Sequence, residues 1–114
     1  MLWIYNNEKP QEVEITHNCG QRQRRINYDV EELGEGDYSY RYKQATLPPG
    51  EWNYESIVNA IVSAEYPSDK MQAVVNNYLL DSENEANKAD FDMMQECRAK
   101  AKAIAKQLLE KGLR

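Results

Sequence analysis

Disulfide chemistry has almost nothing to work with in this chain: cysteine occurs twice in 114 residues, at Cys19 and Cys97. Two thiols are too few for the framework that staples small secreted domains, and they read as lone thiols rather than as a bridge. A secretory leader is also missing, because the apolar run Leu2–Tyr5 is far too short for one. No apolar stretch approaches the ~20 residues needed to cross a bilayer. Positive charge is in deficit, with 14 basic against 19 acidic residues and a net charge of −5, which disfavours broad contact with nucleic acid or anionic lipid. Internal repeats, low-complexity tracts and recognisable nucleophile or cofactor motifs are absent. These absences predict a cytoplasmic protein with no membrane partner, no cofactor, no metal and no enzymatic activity.

What is present argues for architecture. The length suits one domain spanning 1–114, with a β-hairpin part over 1–48 and a helical part over 53–112. Leu2–Tyr5 reads as a short strand. Glu12–Thr16 alternates with Val13 and Ile15 on one face, and Arg24–Glu32 puts Ile26, Tyr28 and Val30 on one face. Parity requires an even loop between these two strands, or a compensating bulge. A four-residue loop, Cys19 to Arg22, would pair Ile15 with Ile26 and Val13 with Tyr28. A three-residue loop at Gly34–Gly36 would pair Val30 with Tyr40 and Tyr28 with Tyr42, an aromatic ladder. The fourth strand, Asp37–Leu47, slips in phase between Tyr42 and Ala45, which predicts a bulge or an end near Gln44.

After "LPPG" the period changes to that of helices. Asn53 caps the first, Ile57, Val58, Ile61 and Val62 form its stripe, and Pro67 stops it. Leu47 and Trp52 flank this corner, so Trp52 is expected to pack between sheet and helices. Ser68 is the expected cap of a second helix whose Met71, Val74, Val75, Tyr78 and Leu79 share one face expected to be buried. "SENE" (Ser82–Glu85) has the form of a capping box for a third helix running to Lys111. Strands first and helices after is the α+β pattern, here a small antiparallel sheet of three to four strands followed by three helices.

Several constellations can carry function. The third helix places Met94, Cys97, Ala101, Ile104 and Leu108 at 3, 4, 3, 4 spacing, a heptad-like seam. From Glu83 to Lys111 it would be about 43 Å long at 1.5 Å per residue, longer than a domain of this size, so one end is expected to break or to project toward a partner. This seam is the candidate interface for a protein partner or for self-association. The runner-up is a single-stranded nucleic-acid face built from Arg24, Tyr38, Tyr40, Arg41 and Tyr42, since interleaved aromatics and arginines can stack unpaired bases. Against it stand the net charge and the need of three helices to bury their stripes on this same sheet; nucleic acid is the less favoured partner. His17, Cys19 and Cys97 lack metal-ligand spacing, and His17 with Cys19 lacks the orienting third group of a nucleophile pair. Asp90, Asp92 and Glu96 read as a solvated face, Glu96 preceding Lys100 at the i, i+4 ion-pair spacing.

At "LPPGEWNYESIVNAIVSAEYPSDKMQAVVNNYLLD" and "ANKADFDMMQECRAKAKAIAK" the chain resembles small uncharacterised proteins encoded in phages and prophages of gut bacteria. The similarity covers the C-terminal three-fifths of the chain and rests on packing and capping features. It implies a virion or accessory protein and transfers no site residue. The expectation is a non-enzymatic structural or interaction subunit, tail-associated or accessory, that self-associates.

Overall fold

The computed structural model describes residues 3–112, so Leu2 of the expected opening strand lies outside the described residues. Within them the order is β1 (Ile4–Asn6), β2 (Val13–Asn18), β3 (Gln21–Glu32), β4 (Tyr40–Thr46), α1 (Tyr54–Glu65), α2 (Ser68–Leu80) and α3 (Glu85–Glu110). The strands form one antiparallel sheet in the order β1-β4-β3-β2, and the fold is α+β. Because β1 and β2 lie at opposite edges, residues 7–12 carry the chain across the sheet. Asn7 accepts a hydrogen bond from the Ser39 N–H at one side, and the Gln11 carbonyl accepts one from the Asn27 side chain at the other. By alternation Asn27 points away from Ile26 and Tyr28, so this crossing lies on the face opposite the core, where Tyr42 is also buried.

The β2–β3 hairpin turns through two residues, not four. Cys19 and Gly20 both take positive φ (52° and 78°), as a type I′ turn demands. Parity still holds, but the shorter loop pairs Val13 with Ile26 and Ile15 with Arg24, and leaves Ile15 44% exposed. The aromatic ladder of β3 and β4 does not form either. Glu32 pairs with Tyr40 and Glu31 with Arg41; beyond a shift, Tyr28 pairs with Lys43 and Ile26 with Ala45. The extra residue sits in β3, where Asp29 has φ 52°, rather than near Gln44. A phase slip marks both strands of a pair, and one strand's pattern does not say which holds the bulge. The bulge keeps Tyr28 buried and turns Val30 outward.

The "LPPG" corner is sewn to β3. The Leu47 N–H donates to the Arg24 carbonyl, the Gly50 N–H to the Arg22 carbonyl at 2.7 Å, and Gln23 Nε2 to the Leu47 carbonyl. Gly50 has φ +80°, and a Cβ there would crowd the Gln21 amide at 3.2 Å. Leu47 is fully buried, and Trp52 packs on the core with the Arg24 guanidinium 5.5 Å from its ring centre. Asn53 and Ser56 then form a reciprocal capping box for α1. The caps of the other two helices differ from expectation. Pro67 precedes α2, and Ser68 is its first helical residue without a side-chain cap. Asn84, not Ser82, caps α3, accepting from the Ala86 and Asn87 N–H groups.

One apolar cluster joins the halves: Ile26, Tyr28, Ala45 and Leu47 of the sheet side meet Ile57, Val58, Ile61 and Val62 of α1 and Ala101, Ala105 and Leu108 of α3. Ala101 and Ala105, both at 0% exposure, let α1 approach α3 closely. The C-terminal half of α3 is therefore core. Leu108→Ala is expected to cost about 2–5 kcal/mol in chemical denaturation, and Leu109→Ala, at a neighbouring 38%-exposed position, less than about 1 kcal/mol.

Candidate functional site

The long helix α3 is unbroken for 26 residues, about 39 Å at 1.5 Å per residue. Its buried residues, Met94, Cys97, Ala101, Ala105 and Leu108, all lie C-terminal to Met93. The projecting end is thus the N-terminal one. The candidate interface seam of Met94, Cys97, Ala101, Ile104 and Leu108 faces the same chain: four of the five are buried, and Ile104 packs against the core cluster. The 3–4 spacing that marks a coiled-coil seam also marks a stripe facing one's own core, and here α1 and the sheet occupy it.

The projecting end is a hairpin of α2 and the first part of α3. Asn87 Nδ2 holds it closed by donating to the carbonyls of Asn77 and Asp81, Tyr78 stacks on Phe91 at 4.1 Å, and Arg98 reaches the Met71 sulfur. Yet α2 has no buried residue. Of its expected buried face, Met71, Val74, Val75 and Tyr78 are half-buried and Leu79 is 74% exposed; Leu80 beside it is 85% exposed and Met93 of α3 61%. Between the helices, where α1 ends, Tyr66, Lys70, Val74, Asp90 and Met93 line a notch of about 210 Å³.

At the base of this hairpin the structure assembles a polar network from four elements that are remote in sequence. Glu65, the last residue of α1, accepts from Lys43 Nζ at 2.9 Å and from the Cys97 thiol at 2.7 Å. Asp29, at the bulge, pairs with Lys43 at 3.3 Å and with Lys100 of α3. The Tyr28 hydroxyl lies beside Glu65, buried and outside hydrogen-bonding geometry. Burial, followed by the bond to Glu65, pushes the Cys97 thiol up to about 12, which keeps it a protonated donor rather than a nucleophile. Burial works against charge on Glu65, but the bonds from Cys97 and Lys43 outweigh it and hold the carboxyl below its ordinary range. Burial likewise opposes charge on Lys43, and Glu65 and Asp29 more than compensate, raising it. In the sequence Cys97 stood out only as a seam position and Lys100 only as a partner for Glu96; in the structure Cys97 meets Glu65 and Lys100 meets Asp29.

The five residues of the candidate nucleic-acid face do not share a face. Tyr40 and Tyr42 alternate with Arg41, Tyr42 is buried on the side away from the core, and Arg24 lies near Trp52. Arg41 is paired with Glu31 at 2.6 Å and stacked 4.3 Å over Trp3, which also receives Lys43; Tyr38 leans on Tyr5. A stacking platform needs its rings and cations on one open side, and the pleat separates them. Cys19 leaves the strand in its turn rather than continuing beside His17, and both are exposed, whereas Cys97 is buried. Among the described residues no group of three His, Cys, Asp or Glu side chains is gathered as a metal ion would require, and no helix is long and apolar enough to cross a membrane. Asp90, Asp92 and Glu96 are exposed. No protein-family model, curated protein or solved structure matches the chain.

The network has a pH signature. Cys97 is raised in the folded protein from an ordinary 9.0 to about 12, so its stabilising contribution is complete below pH 9 and is lost as pH climbs through that window. Tyr28, raised chiefly by burial and then by Glu65, acts in the same direction from its ordinary 10.0 upward. Thermal melts are expected to show stability falling from about pH 9 to 11, with a shallower fall in Cys97→Ala. Equal slopes in the two proteins would show that the thiol is not held as described.

Proposed function

We propose that this chain is a non-enzymatic protein-interaction subunit and that the α2–α3 hairpin is its contact surface. The observation that carries the reading is a helix with an apolar stripe and no buried residue, set on a body whose core is otherwise complete. An isolated 13-residue helix is marginal in water, and α2 leans chiefly on α3, with Met71 alone reaching the core cluster. Leu79, Leu80 and Met93 remain in solvent at a cost that a partner would remove. The resemblance to phage-encoded proteins suits an accessory or structural subunit of a larger assembly.

A photo-crosslinking residue placed at Leu79 or Leu80 in the full chain, expressed in its native host, is expected to capture a discrete protein. The same residue at Lys102, on the far half of α3, is expected to capture none. Leu79→Ser with Leu80→Ser should abolish capture from a crosslinker at Met93 while shifting the melting temperature little, because neither leucine is buried. Uniform capture at all positions, or none at the hairpin, would end this reading.

A further inference from the structure

We infer that the partner of this hairpin is a cationic amphipathic helix that lies in the groove between α2 and the N-terminal half of α3 and seats one large apolar side chain in the Tyr66–Val74–Met93 notch. The inference rests on the hairpin being the contact surface. Shape and charge converge on it, and the same charge disfavours self-pairing.

The first is shape. From Met94 onward α3 packs on α1, but α1 ends at Glu65 and Tyr66 caps it. N-terminal to Met94, α3 has α2 on one side and no third helix where α1 would continue. Val74 and Met93 form the two walls of that place, and Tyr66 closes its inner end. A helix laid there extends the three-layer packing that the body already uses, and the notch of about 210 Å³ has room for one bulky anchor.

The second is charge. Between Ser68 and Met93 stand six carboxylates, Asp69, Asp81, Glu83, Glu85, Asp90 and Asp92, against two lysines, Lys70 and Lys88. This stretch therefore carries −4 of the chain's −5. The notch itself holds one carboxylate, Asp90, and one lysine, Lys70, whose ammonium is taken up 4.7 Å over the Tyr66 ring, so a basic side chain flanking the apolar anchor finds its carboxylate at Asp90 and in the acidic stretch around the notch.

The same charge disfavours the simplest competitor. A two-fold contact through this surface would set one acidic hairpin, at −4, against another, and like charges across an interface are unfavourable. Exposed basic residues of a second copy such as Lys102 and Lys106 sit on the α3 half that belongs to the body, where a two-fold contact through the hairpin does not bring them. The hairpin thus suits a different, basic partner better than itself.

The test uses the full chain and two synthetic helical peptides of one length, the first of leucine and lysine, the second of leucine and glutamate, with binding read by fluorescence anisotropy. The lysine peptide is expected to bind and to weaken steeply with salt; the glutamate peptide is not. Met93→Gln, which removes an apolar wall without changing charge, should weaken the lysine peptide at least about tenfold. Asp81→Asn with Asp90→Asn should do the same, while Glu35→Gln with Asp37→Asn, two charges removed from the exposed β3–β4 loop, should change affinity less than about twofold. Equal losses from the two charge pairs would reduce the attraction to a diffuse one and overturn the inference. So would equal binding of the glutamate peptide. Sedimentation of the full chain closes the remaining route. If it dimerises, and Leu79→Ser with Leu80→Ser releases the monomer, the occupant is a second copy; the inference fails and the hairpin remains the contact surface. If neither peptide binding nor association responds to any hairpin substitution, the contact-surface reading fails as well.

Discussion

The contact of the sheet's apolar face with α1 and the alanine side of α3 is the constraint on which the rest depends. Ile26 and Leu47 on one side meet Ile57 and Ile61 on the other, all essentially without exposure. Each such side chain contributes about 1.5–3 kcal/mol on burial. Ala101 and Ala105 complete the layer because nothing larger would let two helices and a sheet meet there. This contact covers the C-terminal half of α3 and stops where α1 stops. A helix of 26 residues on a body that needs only its second half must extend past it, and α2 folds back along the overhang.

The polar network sits at the point where the overhang begins. Glu65 ends α1, where the helix dipole is negative and a carboxylate is poorly placed. Two lysines and a thiol resolve that conflict, and they do so by linking α1 to β4 and α3. Cys97 lies one turn along α3 from Met93, so the bond to Glu65 fixes the helix where it leaves the body. Asp29 reaches the network because the bulge gives it a left-handed backbone, which aspartate tolerates better than most residues. The group is partly buried and ties α1, β3, β4 and α3 together at the point where the hairpin leaves the body.

Much of this was legible in the residues. The strands announced themselves by alternation, the helices by stripes at Ile57–Val62 and Met94–Leu108, and the α1 cap by Asn53. The candidate surface was half legible: the excess length of α3 pointed to a projecting end, but not to which one. The seam lies against the chain's own core, which the residues did not reveal because a stripe shows only that a face is apolar, never what covers it. The tyrosine–arginine set is split between the two faces, which was not legible because faces depend on register, and the bulge at Asp29 and the short turn at Cys19–Gly20 set the register. Neither has a strong local signal.

By itself, then, the sequence determined the kind and order of the elements, the corner at "LPPG", and the concentration of acid between Ser68 and Met93. These follow from near neighbours, whose preferences act within a turn or two of chain. Only the tertiary structure decided that α3 is covered from Met94 onward, that Tyr42 and Tyr28 face opposite ways, and that Asp29 meets Lys100 across 71 positions. Those outcomes belong to how separate elements share one apolar layer, and no local pattern carries that information.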